Sequence, residues 1–435
     1  MTPNTPRYGA TQPENAPRRM FGALKYPNYR IFITGQFVSL IGTWLQGIAQ
    51  SWLVYRLTGS AALLGLVGFY GSLPVLLVAP VGGLVGDRWP RRQTLMVTQA
   101  SAAALALLLG ILTLTGKVTP THIMVIAALG GVVSAFDIPI RQSFFVELAG
   151  REDITSAIAI NSSAVNGARI IGPAVGGVLV AMLGEGWCFV LNAASFLAVL
   201  TSLAIMRVPV RASSGTYAAP IKSILTGFRY VAGSKSIRVL LGQLGLVSLL
   251  GVPYGILMPI FADRILHGGP RGLGLLMGSV GVGALIGALR LAMRGSTRGL
   301  SIWVAGTAAG FGFFLVLFSY SGSFWLSAAL LTLVGFCFMT VMVGTNTLVQ
   351  TICPDHLRSR VMSVYTMMFV GMSPFGALLA GYGADRFGAP VAVGAGGFLC
   401  LLVSYVFARY LPVMRASAHE EISAHNTQQV DLLVR

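Results

Sequence analysis

The sequence predicts an all-α polytopic membrane protein in which twelve transmembrane helices form two pseudo-symmetric six-helix bundles. Three observations carry this. Of 435 residues, 55% are hydrophobic and only 10% are charged, with a mean hydropathy of +0.76, whereas a soluble domain carries about 25% charged residues. Apolar runs of the roughly 20 residues that a helix needs to cross about 30 Å of hydrocarbon recur about twelve times. The longest interior polar stretch, Arg207 to Arg238, divides those runs six and six. A lone apolar run could be a buried core helix, but a dozen at regular spacing could not.

In order along the chain, residues 1–27 are polar, basic and proline-rich and read as a disordered tail. The hydrophobic run that follows is too long for a cleaved signal peptide. Residues 28–206 form the first bundle, with spans at 31–55, 61–85, 94–115, 121–140, 161–183 and 187–206. Residues 207–237 link the halves. Within this linker Ile221, Ile224, Leu225, Phe228 and Val231 share one face and Lys222 and Arg229 lie off it, which suits an amphipathic helix on a membrane surface. Residues 238–411 form the second bundle, with spans at 238–262, 272–293, 301–319, 324–347, 361–384 and 390–411, and 412–435 are read as a second tail.

Charge sets the orientation. With the N-terminus in the cytoplasm, the first tail and the even-numbered connections hold Arg18, Arg19, Lys25, Arg88, Arg91, Arg92, Arg141, Arg151 and most of the remaining basic residues. The other side keeps only Arg56, Lys117, Arg264, Arg271 and Arg386. By the positive-inside rule both termini are expected in the cytoplasm. The net charge of +17 is then topological, and nucleic acid is not an expected partner.

Other chemistries find no support in the residues. Cys188, Cys337, Cys353 and Cys400 lie far apart with no C-x-x-C pair, so they read as small packing residues and no metal is expected. No G-x-x-x-x-G-K-[ST] loop exists to hold ATP. Gly281, Gly283 and Gly287 imitate a dinucleotide loop, but they sit inside an apolar span where small residues let helices approach. No cofactor is expected. Paired carboxylates and nucleophile–base sets are absent too, so the chain does not read as an enzyme.

The halves echo each other at "ARIIGPAVGGVLVAMLG" and "VGMSPFGALLAGYG", where Pro173 matches Pro374. Paired helix interruptions at equivalent positions point to a transporter binding site, although kinked packing explains either proline alone.

Between the second and third spans, "GGLVGDRWPRRQ" supplies Gly83, Asp87, Arg88, Arg91 and Arg92. This resembles the loop pattern G-x-x-x-D-R-x-G-R-[RK] of the major facilitator superfamily, with Pro90 where the family usually has glycine. Gly172, Pro173, Gly176 and Gly177 resemble the superfamily's "antiporter" motif G-P-x-x-G-G, typical of exporters. "YPNYRIFITGQFVSLIGTWLQGIAQSWLVYRLTGS" and "SAFDIPIRQSFFVEL" are similar to the branch containing the enterobactin exporter and macrolide-efflux proteins. The resemblance implies the major facilitator fold in a bacterial cytoplasmic membrane, working as a monomer. It also implies export of a small molecule by alternating access, coupled to protons. An importer or lysophospholipid flippase on the same fold is the alternative.

Among the candidate site residues, Asp87 with its arginines reads as a latch between the halves, because a carboxylate can pair with a cation or a helix N-terminus. Asp137, Arg141 and Arg169 are ionisable groups in or beside the spans, where charge costs roughly 2.5–3.5 kcal/mol and marks a pathway or an ion pair. Asp137 and Arg169 are expected to meet in the cytoplasmic third of their helices, with Arg141 as a competing partner and Asp137 as a candidate proton carrier. Thr43, Gln46 and Gln50, then Gln243, Tyr254, Asn346, Tyr365 and Met368, are candidates for the substrate cavity, or else interhelical glue. A cavity of amides, aromatics and methionines favours amphipathic or hydrophobic organic molecules. The role of "GYGADRFG", with Asp385 and Arg386 on the opposite side, is left open by the sequence.

Overall fold

The computed structural model describes residues 21–206, 220–294, 299–354 and 357–434, with side chains for all of these except 79–88, 151, 220–224 and 413–434. The expected N-terminal tail up to residue 20 and the linker stretch 207–219 lie outside the described residues.

Twelve helices are long and apolar enough to cross a membrane. The first six are α1 (Pro27–Thr58), α2 (Ala61–Arg88), α3 (Arg91–Leu114), α4 (Pro120–Leu148), α5 (Ile154–Leu183) and α6 (Glu185–Ile205). A shorter helix, α7 (Pro220–Gly233), follows. The remaining six crossings begin with α8 (Lys235–Leu250), α9 (Gly269–Ala292) and α10 (Leu300–Ser319). They finish with α11 (Phe324–Ile352), α12 (Arg358–Phe387) and α13 (Ala389–Val434). No strand occurs among the described residues, as the bilayer demands when every backbone polar group must be satisfied within its own segment. The chain is a multi-pass membrane protein with all-α architecture.

Three features differ from the sequence reading. Helix α5 starts at Ile154 rather than 161, because Thr155 and Ser156 lower the hydropathy of its first turns without stopping the helix. The prolines expected to interrupt the fifth and eleventh spans lie inside continuous helices, Pro173 in α5 and Pro374 in α12. The interruption occurs in the seventh span instead. There α8 ends at Leu250 and the chain continues through a 3-10 segment Val252–Leu257, one turn Met258–Ile260 and a π turn Phe261–Ile265. Gly251, Pro253 and Pro259 supply the chemistry, since proline removes the donor that each i→i−4 bond needs. The stretch after residue 412, read as a tail, continues α13 as helix to Val434.

Twelve crossings return the chain to the side on which it began. The end carrying both termini is called the terminal end below, and the other the distal end. Within the first six helices α1 packs on α5 and α6, α2 on α4, and α3 on α6. Within the last six, α8 packs on α12 and α13, α9 on α11, and α10 on α11 and α13. The two sets meet chiefly through α2 with α12 and α5 with α9. At the terminal end Lys25 pairs with Asp153, and the Tyr29 hydroxyl donates to the Ala157 carbonyl at 2.9 Å, which ties the start of α1 to α5. The Asp153 carboxylate raises the Lys25 ammonium above its ordinary value.

Candidate functional site

Glycine makes the seams between the two sets. A Cβ on Gly177 of α5 would lie 2.6 Å from the Pro270 carbonyl oxygen and 2.7 Å from the Gly274 Cα of α9. A Cβ on Gly65 of α2 would lie 3.0 Å from the Gly381 Cα of α12, and one on Gly381 would lie 2.8 Å from the Ala61 carbonyl oxygen. Each seam is therefore a Gly-on-Gly contact in which only backbone fits. Gly172 and Gly176 use the opposite side of α5, where Cβ atoms would come 2.9 Å from the Ile41 carbonyl oxygen and 3.2 Å from the Leu45 Cα of α1. The G-P-x-x-G-G core thus brings α5 against a helix of its own half and a helix of the other.

Polar contacts close the distal end. Asp385, near the C-terminus of α12, accepts from the Ala61 backbone N–H at 2.9 Å and from the Ser60 hydroxyl at 3.4 Å. A carboxylate from one half therefore caps the first turn of α2 in the other, where orphan N–H groups and the helix dipole favour negative charge. The Tyr55 hydroxyl donates to Asp263 at 2.8 Å, and Arg264 reaches the Gly59 carbonyl at 3.5 Å. Within the first half, Arg56 pairs with Glu185 at 2.6 Å. The sequence left "GYGADRFG" without a role; Gly381 and Asp385 give it two.

Removing that cap should loosen the distal end. In Asp385→Ala, a cysteine placed at Val67 is expected to react about fivefold faster with a membrane-impermeant maleimide from the distal side, as loss of a cap of about 1 kcal/mol implies. Unchanged labelling would separate Asp385 from closure.

Between the seams lies a cavity of about 300 Å³ whose lining includes Trp44, Gln50, Ser51, Pro173, Ile256 and Met277. The Arg169 guanidinium lies over the Trp44 ring, 5.2 Å from its centroid, and Tyr254 is within electrostatic reach. Towards the terminal end a further cavity of about 420 Å³ separates α2 and α4 from α12, between Leu76, Ile138 and Gln142 on one side and Thr366, Met367 and Val370 on the other. The halves thus meet through close backbone contacts distally, and among the described side chains a cavity lies between them towards the terminal side.

The remaining candidates fall into separate groups. Asp137, which is buried, accepts from Arg141 Nε at 3.1 Å, from Gln99 Nε2 at 2.7 Å and from Thr98 Oγ1 at 3.0 Å. The expected Asp137–Arg169 contact does not form, because Arg141 sits one helical turn along the same helix and takes the carboxylate. Arg169 lies at the middle of α5 rather than in its terminal third, a consequence of the earlier start of that helix. Thr43 bonds back to the Ser39 carbonyl, and Gln46 accepts from Asn192 of α6 at 2.5 Å. Asn346 accepts from Gln350 at 2.6 Å, and the Tyr365 hydroxyl donates to the Met342 carbonyl at 2.9 Å, both on the α11 side of the second half. Met368 packs near Gly245 of α8, and the Gln243 amide is buried with both polar atoms unpartnered. Gln50 and Tyr254 thus stay near the cavity, whereas Thr43, Gln46, Asn346 and Tyr365 make bonds within their own halves.

At the C-terminal end of α2, Gly83, Asp87 and Arg88 lie outside the described side chains. Arg91 pairs with Glu147 at 3.1 Å, and Arg92 donates to the Leu203 and Ala204 carbonyls at 2.6 and 2.9 Å, capping the C-terminus of α6. Sequence reasoning missed Ser60, Asp263, Glu185 and Asn192. An acid at a span end signals Asp263 and Glu185, but nothing local marks Ser60 or Asn192.

The family described as Transmembrane secretion effector matches residues 19–435. The chain is 26% identical to the Staphyloferrin A transporter of Staphylococcus aureus, covering 87% of this chain and 95% of that protein. It is 27% identical to the multidrug efflux pump Tap of Mycolicibacterium fortuitum, over 85% and 91%. To the enterobactin exporter EntS of Shigella boydii it is 26% identical, over 90% and 93%. Among solved structures, the nucleoside transporter NupG superposes with a TM-score of 0.69 at 14% identity, covering 88% of this chain and 98% of that one. A D-xylose–proton symporter superposes with a TM-score of 0.66 at 15% identity, over 89% and 99%.

Proposed function

This chain belongs to the transmembrane secretion effector family of the major facilitator superfamily, and we propose that it is a secondary exporter of small amphipathic or hydrophobic organic molecules working by alternating access. The observation that carries the proposal is the cavity between two glycine seams, with a second cavity lying between the halves towards the terminal side. With the termini in the cytoplasm, as the distribution of lysine and arginine favours, this conformer accepts substrate from the cytoplasm and keeps the outer side closed. Rocking the halves about the cavity would open the seams and release substrate outward. The exporter and efflux-pump relatives support the direction.

Helices α2 and α12 run antiparallel, so each presents its C-terminal end to the other's N-terminus. Asp385 caps α2 distally, and Asp87, next to last in α2, is placed by sequence to do the reciprocal work at the start of α12 in the outward-open state. Proton antiport is the proposed driving force, with Asp137 as the proton carrier.

Everted membrane vesicles, energised to be acidic inside, test the proposal. Hydrophobic cations, macrolides and catechol siderophores are offered with and without a protonophore. Accumulation of at least one class, abolished by the protonophore, is the expected result. Movement only in the reverse direction, or only of labelled lysophospholipid, would replace the exporter with an importer or a flippase.

A further inference from the structure

We propose that Arg169 reads an anionic group on the transported molecule, so that the preferred substrates are amphipathic carboxylates rather than neutral or cationic compounds. This deepens the exporter reading and rests on it for the direction of movement.

Arg169 stands at the middle of α5, a helix spanning Ile154–Leu183. A cation held there is costly unless something pairs with it. Its Nε is buried and has no hydrogen-bond partner, and the guanidinium lies over the Trp44 ring. The acids with described side chains are almost all committed elsewhere. Asp137 is held by Arg141, Glu147 by Arg91, Asp153 by Lys25 and Glu185 by Arg56. Asp263 accepts from Tyr55 and Asp385 caps α2. Only Glu152 remains, exposed in the connection between α4 and α5, a whole half-helix away. No carboxylate among the described side chains therefore serves Arg169 in this conformer.

The surroundings are shaped for a ligand rather than for a missing ion pair. The guanidinium lies over Trp44, which itself lines the central cavity with Gln50, Pro173 and Ile256. A cation–π contact consumes no N–H donor, so the fork keeps its donors for a bidentate oxyanion. Tyr254, in the interrupted part of the seventh span of the other half, lies within electrostatic reach of the guanidinium. One turn on, Pro173 lacks the N–H that would bond the Arg169 carbonyl, and Gly281 of α9 packs against that carbonyl. Residue 169 is thus a junction of both halves, where an anion would be felt by each. Apart from Gln50 and Ser51 the cavity lining is largely apolar, which suits an aromatic or aliphatic body attached to the carboxylate.

The test uses the purified full chain in lipid nanodiscs and three probes, pyrenebutyrate, naphthylacetate and dansyl-leucine, each beside its neutral methyl ester. Wild type is expected to bind the carboxylates about tenfold more tightly than the esters. In Arg169→Gln the carboxylates should bind about 30-fold more weakly, as loss of one partner of a desolvated charge pair implies, and the preference should fall to within about threefold. Arg169→Lys keeps the cation without the fork and should retain part of the preference, provided that both variants elute and melt as folded protein. A wild type that prefers no carboxylate over its ester, or an Arg169→Gln protein that keeps the preference, overturns the inference. Vesicle transport separates it from the exporter reading. Preference in binding without outward movement removes the exporter alone, and outward movement of acid and ester alike in wild type removes the carboxylate inference alone.

Discussion

Gly177→Val is expected to lower transport by about 10- to 100-fold while leaving the protein in the membrane. The valine Cβ would sit 2.6 Å from the Pro270 carbonyl oxygen and 2.7 Å from the Gly274 Cα, both backbone atoms that no rotamer change can move. Overpacking of this kind costs about 1–3 kcal/mol and is relieved only if the helices separate. Here the helices belong to different halves, so the strain falls on the distal seam and not on either six-helix unit. The closed distal state is penalised and the cycle loses one of its two ends. Gly274→Val should behave alike, since its Cβ would meet the Pro173 carbonyl oxygen at 2.6 Å. Gly167→Ala is the control, because only the Phe37 ring lies near, at 3.4 Å. Initial rates in everted vesicles, normalised to membrane abundance, decide the matter. A Gly177→Val protein with wild-type rates would mean that the seam does not open and close during transport.

The second large effect is expected at Asp137. Asn in its place still accepts from Thr98 and Gln99, but Arg141 loses its counter-ion inside the bundle. Breaking one side of a buried pair costs about 3 kcal/mol, so Asp137→Asn should melt at a clearly lower temperature than wild type. Asp137→Asn/Arg141→Gln should recover much of that stability, since no unpaired charge remains. Transport discriminates the structural role from the coupling role proposed for this carboxylate. If Asp137 carries the proton, the stable double variant should still bind substrate and lose protonophore-sensitive accumulation. Full proton-driven transport in either variant would remove the coupling role and leave a structural ion pair.

Much of the architecture was legible because hydropathy and lipid thickness speak the same language. The twelve crossings were countable, but helix lengths were not, since a helix outlasts the hydrocarbon it crosses. Thr155 and Ser156, close behind the charged Arg151–Asp153, concealed the first two turns of α5 and made Arg169 look closer to the terminal end than it is. The Asp137–Arg141 pair was visible as an i, i+4 spacing and needed only the usual preference for the nearer partner. The distal contacts were not legible. Asp385 meets Ala61 across 324 residues of chain, and no local pattern announces such a partner. Gly177 was singled out through the exporter-like motif, but its contact with Gly274 depends on how the halves dock. Amides such as Gln46 could have read substrate or glued helices, and geometry gave Gln46 to Asn192.

Spin-label distances across the two ends in lipid nanodiscs test the alternating-access claim most directly. One pair, Lys117→Cys with Ser323→Cys, spans the distal end between exposed positions of the two halves, and a second, Glu152→Cys with Lys235→Cys, spans the terminal end. The four buried native cysteines are replaced beforehand. On adding a transported substrate or lowering the pH, the distal distance is expected to lengthen by several ångströms as the terminal distance shortens, in one coupled population shift. Distances that stay fixed at both ends while transport proceeds, or that lengthen together, would contradict two halves rocking about a central site.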